Sequence, residues 1–223
     1  AYANNQHELG QDLVKDPRKT SFYRAMQISK GVLLILDEAA TPFVRVWCCF
    51  EEAVALSEDN GRAERMLLDI ATVHEGQAQL ITDGACAEDL KTKQSSIFRK
   101  IEGYEMSVKA HREATFPLAL VLRALDLINI QKASATESID KRRILNCVVG
   151  CEVERLDEPP PEDHPRYEEI NSSLRTVFAL AVLPGCTKQG LMGELCRIAE
   201  VLERDTSKRH TLSLNFTDMA EFS

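Results

Sequence analysis

Aromatic residues are scarce in this 223-residue chain, at 6% of the sequence with a single tryptophan, Trp47. A core built from it must be chiefly aliphatic. Positive charge is also in deficit, because 27 Lys plus Arg face 35 Asp plus Glu for a formal net charge of -8. That acid excess offers no overall attraction to phosphate backbones or anionic lipid, so nucleic acid and membrane surfaces are poor partners. Long apolar runs are missing as well. The longest candidate, Gly31 to Leu36, is strand-sized and far short of the roughly 20 residues that cross a bilayer. The start, Ala1-Tyr2-Ala3-Asn4-Asn5, has neither Met nor the basic, apolar and small-residue succession of a secretion signal, and reads as the beginning of a fragment.

Motifs are equally sparse. Gly84, Gly103 and Gly150 stand alone and no G-x-G-x-x-G occurs, so a glycine-rich phosphate cradle is not expected. His7 has no partner Ser or Cys in a recognisable nucleophile motif, which argues against a hydrolase triad. The seven cysteines are an odd number in a chain large enough not to need staples, and they read as reduced thiols of a cytoplasmic protein. Cys48 and Cys49 are adjacent, so on a helix they point about 100° apart and are badly placed to chelate one ion. No metal site is expected.

What is present is 44% hydrophobic residues, enough for one sizeable core or a core with a small appendage. Ala1 to His7 fits the end of a strand, and Thr20 or Ser21 caps a helix that Gly31 stops. Gly31 to Leu36 then reads as an interior strand covered on both faces. A helix follows from about Val44 to Ser57, with a turn at Glu58 to Gly61. A strand is expected over Met66 to Val73 and another over Gln77 to Thr82, split at Glu75-Gly76. The alternation implies a parallel sheet flanked by helices. Beyond it, a helical stretch runs from Glu88 to Ala114 with a weak point at Gly103. Pro117 opens another helix, Leu127 to Ile130 offer a last strand, and Glu137 to Val149 form a helix whose Lys141-Arg142-Arg143 run faces water. The acidic, proline-rich Glu158 to Asp163 marks a hinge. Two amphipathic helices follow, His164 to Leu183 and Leu191 to Arg204, parted by Pro184-Gly185, the first with Leu174, Val177, Phe178 and Ala181 inward. Thr211 to Phe216 has the alternation of a single leucine-rich-repeat strand.

The segment Arg45-Val46-Trp47-Cys48-Cys49-Phe50-Glu51-Glu52 carries the chemistry worth weighing. At about 100° per residue, Val44, Phe50, Glu51 and Val54 fall near Trp47, whereas Arg45 and Glu52 lie opposite. Glu52 therefore reads as an ordinary solvated acid. Glu51 shares the tryptophan stripe and is expected to be partly buried or to open into a cleft. Taking a carboxylate out of water is costly unless a partner or pocket justifies it, which makes Glu51 the catalytic candidate. The competing structural reading is that Glu51 bonds a loop amide or an arginine at the core rim.

The apolar strand Gly31 to Leu36 with Asp37, leading to Phe43 and the helix bearing Trp47-Cys48-Cys49-Phe50-Glu51, resembles the Toll/interleukin-1 receptor (TIR) domain family over about residues 1 to 83. More closely, Tyr2 to His7, the helix through Glu52 and Ile144-Leu145-Asn146 are similar to an uncharacterised algal and protist group of TIR-like proteins, often joined to leucine-rich repeats. The resemblance implies an α/β fold, a parallel sheet flanked by helices in flavodoxin-like layers. Joined to the hinge at Glu158 to Asp163 and the two helices after it, the chain reads as 1–157, a TIR-like domain incomplete at its N-terminus, 158–206, a C-terminal helical appendage, and 207–223, the start of a repeat region. TIR domains act as signalling or scaffolding modules through protein partners or self-association, which is the function expected first. The NAD-cleaving members carry their catalytic glutamate four residues after the tryptophan. That position is Glu51 here, with Phe43 and Trp47 as walls and Asn4, Asn5 and Gln6 at the carboxyl end of a strand as further ligand contacts. NAD would then be a substrate, and no cofactor is expected.

Overall fold

The computed structural model describes residues 15–57, 66–87, 89 and 104–206. The turn expected at 58–61, Gly103, and the repeat-like strand at 211–216 lie outside the described residues.

After a short 3₁₀ turn at Pro17–Lys19, α1 spans Ser21–Ile28, and Thr20 caps it by accepting a hydrogen bond from the Tyr23 N–H at 3.3 Å. Strand β1 is Gly31–Leu36. Its exit is pinned by Asp37, whose carboxylate accepts from the Thr41 N–H (2.7 Å) and hydroxyl (2.5 Å). A 3₁₀ turn at Thr41–Val44 then feeds α2, Val46–Leu56. Helix α2 has no side-chain cap; the Val46 N–H donates instead to the Ser134 carbonyl (2.9 Å), and the Ser134 N–H donates to the Val44 carbonyl (2.8 Å). Strand β2, Leu67–His74, pairs parallel with β1, and β3, Gln77–Ile81, pairs antiparallel with β2. Glu75 and Gly76 both have positive φ, 50° and 74°, the geometry of a two-residue type I′ hairpin turn.

The α-helices described after β3 are α3 Tyr104–Glu113, α4 Leu118–Leu127, α5 Ser138–Val148, α6 Pro165–Gln189 and α7 Met192–Thr206. The result is a mixed α/β fold with a three-stranded sheet in the order β1-β2-β3. Among the described strands only the β1–β2 pair is parallel, so the purely parallel sheet expected from alternation is corrected to a mixed one by the tight hairpin that turns β3 back. The expected last strand at Leu127 to Ile130 is also corrected. Leu127 closes α4, and the buried Ile130 satisfies its N–H on the Asn171 side-chain oxygen (2.9 Å) rather than on a neighbouring strand. Helix α6 runs through Pro184–Gly185 and stops at Gly190, whose φ of 67° and N–H bonds back to Cys186 and Thr187 form the helix end. Buried residues on both sides of the proline, Phe178, Ala181 and Val182 before it and Cys186 after it, keep the helix continuous against the proline's lost hydrogen bond.

One cluster joins Leu34, Leu36, Leu68 and Ile70 of the sheet to Val121 and Leu125 of α4, Leu174 and Phe178 of α6, and Ile198 and Leu202 of α7. The C-terminal helices thus wall the core side of the sheet. A second cluster sets Val46, Cys49 and Phe50 of α2 against Ile144 and Leu145 of α5, with Leu156 and Tyr167.

Among the described residues, the opposite face of the sheet is open. Leu33 and Ile35 of β1, Leu67 and Val73 of β2 and Leu80 of β3 are between 37% and 68% exposed. The register sets Leu33 beside Asp69 and Ile35 beside Ala71, which in turn faces Leu80, so these side chains share one surface. The expectation that β1 is an interior strand covered on both faces is not met among the described residues: there β1 lies at the edge of the three-stranded sheet and is covered on one face.

Candidate functional site

Helix α2 places the acidic pair. Its innermost residues, Val46, Cys49, Phe50 and Ala53, centre on a direction about 110° from Trp47. Glu51 points about 150° away from that centre and is half-buried at the margin, without a hydrogen-bond partner among the described residues. Burial pushes its carboxyl above the ordinary value. Glu52 is the buried acid. It is 1% exposed, both its carboxylate oxygens lack a hydrogen-bond partner among the described residues, and burial followed by repulsion from Glu51 raises its pKa well above the carboxylate range. Reading Glu52 as solvated is therefore corrected. The physical reason is that α2 packs against β1 and β2 as well as α5 and α6, so the flank bearing Glu52 is enclosed too.

Two of the other expected site residues, Phe43 and Trp47, fall among the described residues, and each has packing partners of its own. Phe43 is fully buried, edge to face with Phe178 (5.4 Å between ring centroids, 80°), and serves the core. Trp47 is half-buried and packs edge-on against Phe50 (6.3 Å, 82°), and its indole N–H donates to the Asp140 carboxylate at 3.2 Å. Asn4, Asn5 and Gln6 lie outside the described residues.

The cysteines are all free. Burial pushes the Cys49 and Cys48 thiols up and that of Cys147 up to about 11, so none of these three supplies a thiolate nucleophile near neutral pH. Among the described residues no group of His, Cys, Asp and Glu has the geometry of a metal site, and no helix is long and apolar enough to cross a membrane.

Two polar networks are structural. Arg112 forks onto Asp89 (3.0 and 2.9 Å) and also reaches the Leu80 carbonyl (2.9 Å) and Thr82 hydroxyl (2.9 Å). Beside it, buried Glu113 accepts from the Thr82 N–H and from Lys109, tying α3 to the end of β3. Buried Asn146 donates to the Leu156 (3.1 Å) and Glu158 (2.7 Å) carbonyls, and Arg143 pairs with Asp157 at 2.7 Å. The basic run expected to face water is in part a clamp on the proline-rich segment.

A cavity of about 440 Å³ opens elsewhere, between α1, α2, α5 and the start of α6. Arg18, Tyr23, Phe50, Val54, His164 and Arg166 are among its lining residues, and neither Glu51 nor Trp47 is. Burial alone would raise the Asp16 carboxyl beside it, but hydrogen bonds from the Arg18 side chain and backbone hold it below the usual range. His164 caps α6, its Nδ1 accepting from the Arg166 N–H at 3.2 Å. Sequence reasoning missed this cavity. The available signal was His164-Pro165, a capping side chain followed by proline at a first helical position.

No family, no curated protein and no solved structure matches this chain.

Proposed function

We propose that this chain is a TIR-like signalling or scaffolding module that acts by protein association, docking a second copy of itself on the open face of its sheet. The parallel β1–α2–β2 unit, with Trp47 and Cys48 at the head of α2, supports the TIR-like reading of the fold. The exposed row of Leu33, Ile35, Leu67, Val73 and Leu80 carries the functional reading. Together these side chains expose apolar area on the order of 500 Å², the scale at which such patches mark interaction sites. Two such faces meeting would bury about 1,000 Å², the lower range of a specific interface. The one acid interleaved with them, Asp69, has a carboxylate oxygen occupied by the Asp83 N–H at 2.8 Å. A net charge of -8 opposes contact between copies through most other surfaces, and this apolar face escapes that penalty.

The test is sedimentation velocity across micromolar concentrations on wild type and Ile35→Lys. Reversible dimerisation in wild type that the substitution abolishes, with unchanged circular dichroism, is the expected result. A wild-type monomer at every concentration, or a dimer indifferent to the substitution, removes the reading.

The alternative is an NAD glycohydrolase using Glu51. Its support is the half-buried carboxyl of Glu51, an environment suited to meeting positive charge that develops as a glycosidic bond breaks. Nicotinamide release from NAD that Glu51→Gln eliminates would favour it; an inactive wild type leaves the association module.

A further inference from the structure

We propose that the cavity between α1, α2, α5 and the start of α6 is a binding site for a small organic anion: one phosphate or carboxylate on a flat, apolar body. The inference is independent of the open sheet face. The volume, about 440 Å³, lies within the range of small-molecule pockets.

Its lining separates into two chemistries. Part of it is apolar, with Tyr23 and Phe50 stacked at 6.4 Å and 26° and Val54 also lining the cavity. Part is cationic or donor-bearing, supplied by Arg18, His164 and Arg166, and no carboxylate lines the cavity among the described residues. In a chain with eight more acids than bases, a cavity lined by two arginines and no acid is against the trend.

The arginines retain capacity to bind. Arg18 uses Nε and Nη2 on Asp16 (2.9 and 3.3 Å), which leaves Nη1 without a partner among the described residues. Arg166 uses Nη1 on Glu169 (3.0 Å), leaving Nε and Nη2 without a partner among the described residues. Because His164 accepts at Nδ1, its neutral ring carries the proton on Nε2, a further donor. His164 and Arg166 sit at the N-terminal end of α6, a helix of 25 residues, where the backbone dipole adds to the attraction for an anion. The head group would meet the arginines while the body lies against Tyr23 and Phe50.

The experiment is calorimetric titration of the full chain with phenyl phosphate, benzoate, inorganic phosphate and benzyl alcohol. Phenyl phosphate or benzoate is expected to bind at least tenfold more tightly than either inorganic phosphate or benzyl alcohol, and whichever is the tighter identifies the head group. Arg166→Gln, whose ion pair with Glu169 is at the surface, should weaken that binding at least fivefold with unchanged circular dichroism. Arg18→Gln should do the same. If that variant unfolds because it strands the buried Asp16, Arg166→Gln decides the matter. No binding of either aromatic anion at millimolar concentration, an affinity no better than that of inorganic phosphate, or binding indifferent to Arg166→Gln overturns the proposal.

Discussion

Glu52 is the residue at which ordinary chemistry and position conflict most. A carboxyl group enclosed without a hydrogen-bond partner avoids the cost of a buried charge by keeping its proton. The folded state therefore binds that proton more tightly than the unfolded chain does. The associated stability is complete below the ordinary glutamate value near 4.5 and is lost as pH rises through the higher folded value, at up to about 1.4 kcal/mol per pH unit. Glu51, raised by burial, acts in the same direction. Asp16 and Asp89, held low mainly by Arg18 and Arg112, act oppositely and withdraw stability as pH falls below about 3.8. Thermal unfolding should therefore be most resistant on the acid side of neutrality. Glu52→Met, which replaces the acid by an unbranched apolar chain, should stabilise the protein by about 1–3 kcal/mol at pH 7 and flatten the decline above pH 5. A melting temperature unchanged at both pH values would mean that Glu52 is hydrated. Position 52 was not legible beforehand, because angular bookkeeping fixes only relative directions on α2. Choosing Trp47 as the inward reference set the whole wheel about 110° from where Val46, Cys49, Phe50 and Ala53 put it.

At the scale of elements, local chemistry was legible wherever one or two residues decide the backbone. Thr20 caps α1, Glu75-Gly76 makes the hairpin, and Pro117 stands at the entrance to α4. Competing signals were not legible. Gly185 and Gly190 are both candidate helix ends, and only the buried stripe of α6 selects the second. An unbroken apolar run such as Val32 to Leu36 looks the same whether a strand is covered on one face or two, so sequence could not reveal the open face. Gly31 shows how closely β1 and β2 are set. A Cβ built there would lie 2.6 Å from the Leu67 carbonyl oxygen and 2.8 Å from its Cβ, both inside contact distance. Gly31→Ala should therefore force the parallel pair apart at its first register position and destabilise the fold by about 1–3 kcal/mol, despite alanine's lower backbone entropy cost. Urea unfolding measures this, and a midpoint equal to or above that of wild type would show that the strands have room to shift.

For the molecule as a whole, charge and apolar surface make opposing demands that salt can separate. Eight excess acids repel any second copy at a distance, whereas in the proposed association the open face of the sheet would attract one only on contact. Screening weakens the first and leaves the second nearly untouched, since the Debye length falls from about 30 Å at 0.01 M to about 8 Å at 0.15 M ionic strength. Self-association should therefore strengthen several-fold between those conditions. An interface built from ion pairs between Arg or Lys and the excess acids would weaken over the same range. Sedimentation equilibrium at the two ionic strengths distinguishes them, with Val73→Lys as a control that should remain monomeric in both. Dissociation on adding salt would place the contact on a charged surface and leave Leu33, Ile35 and Val73 without a partner of their own kind.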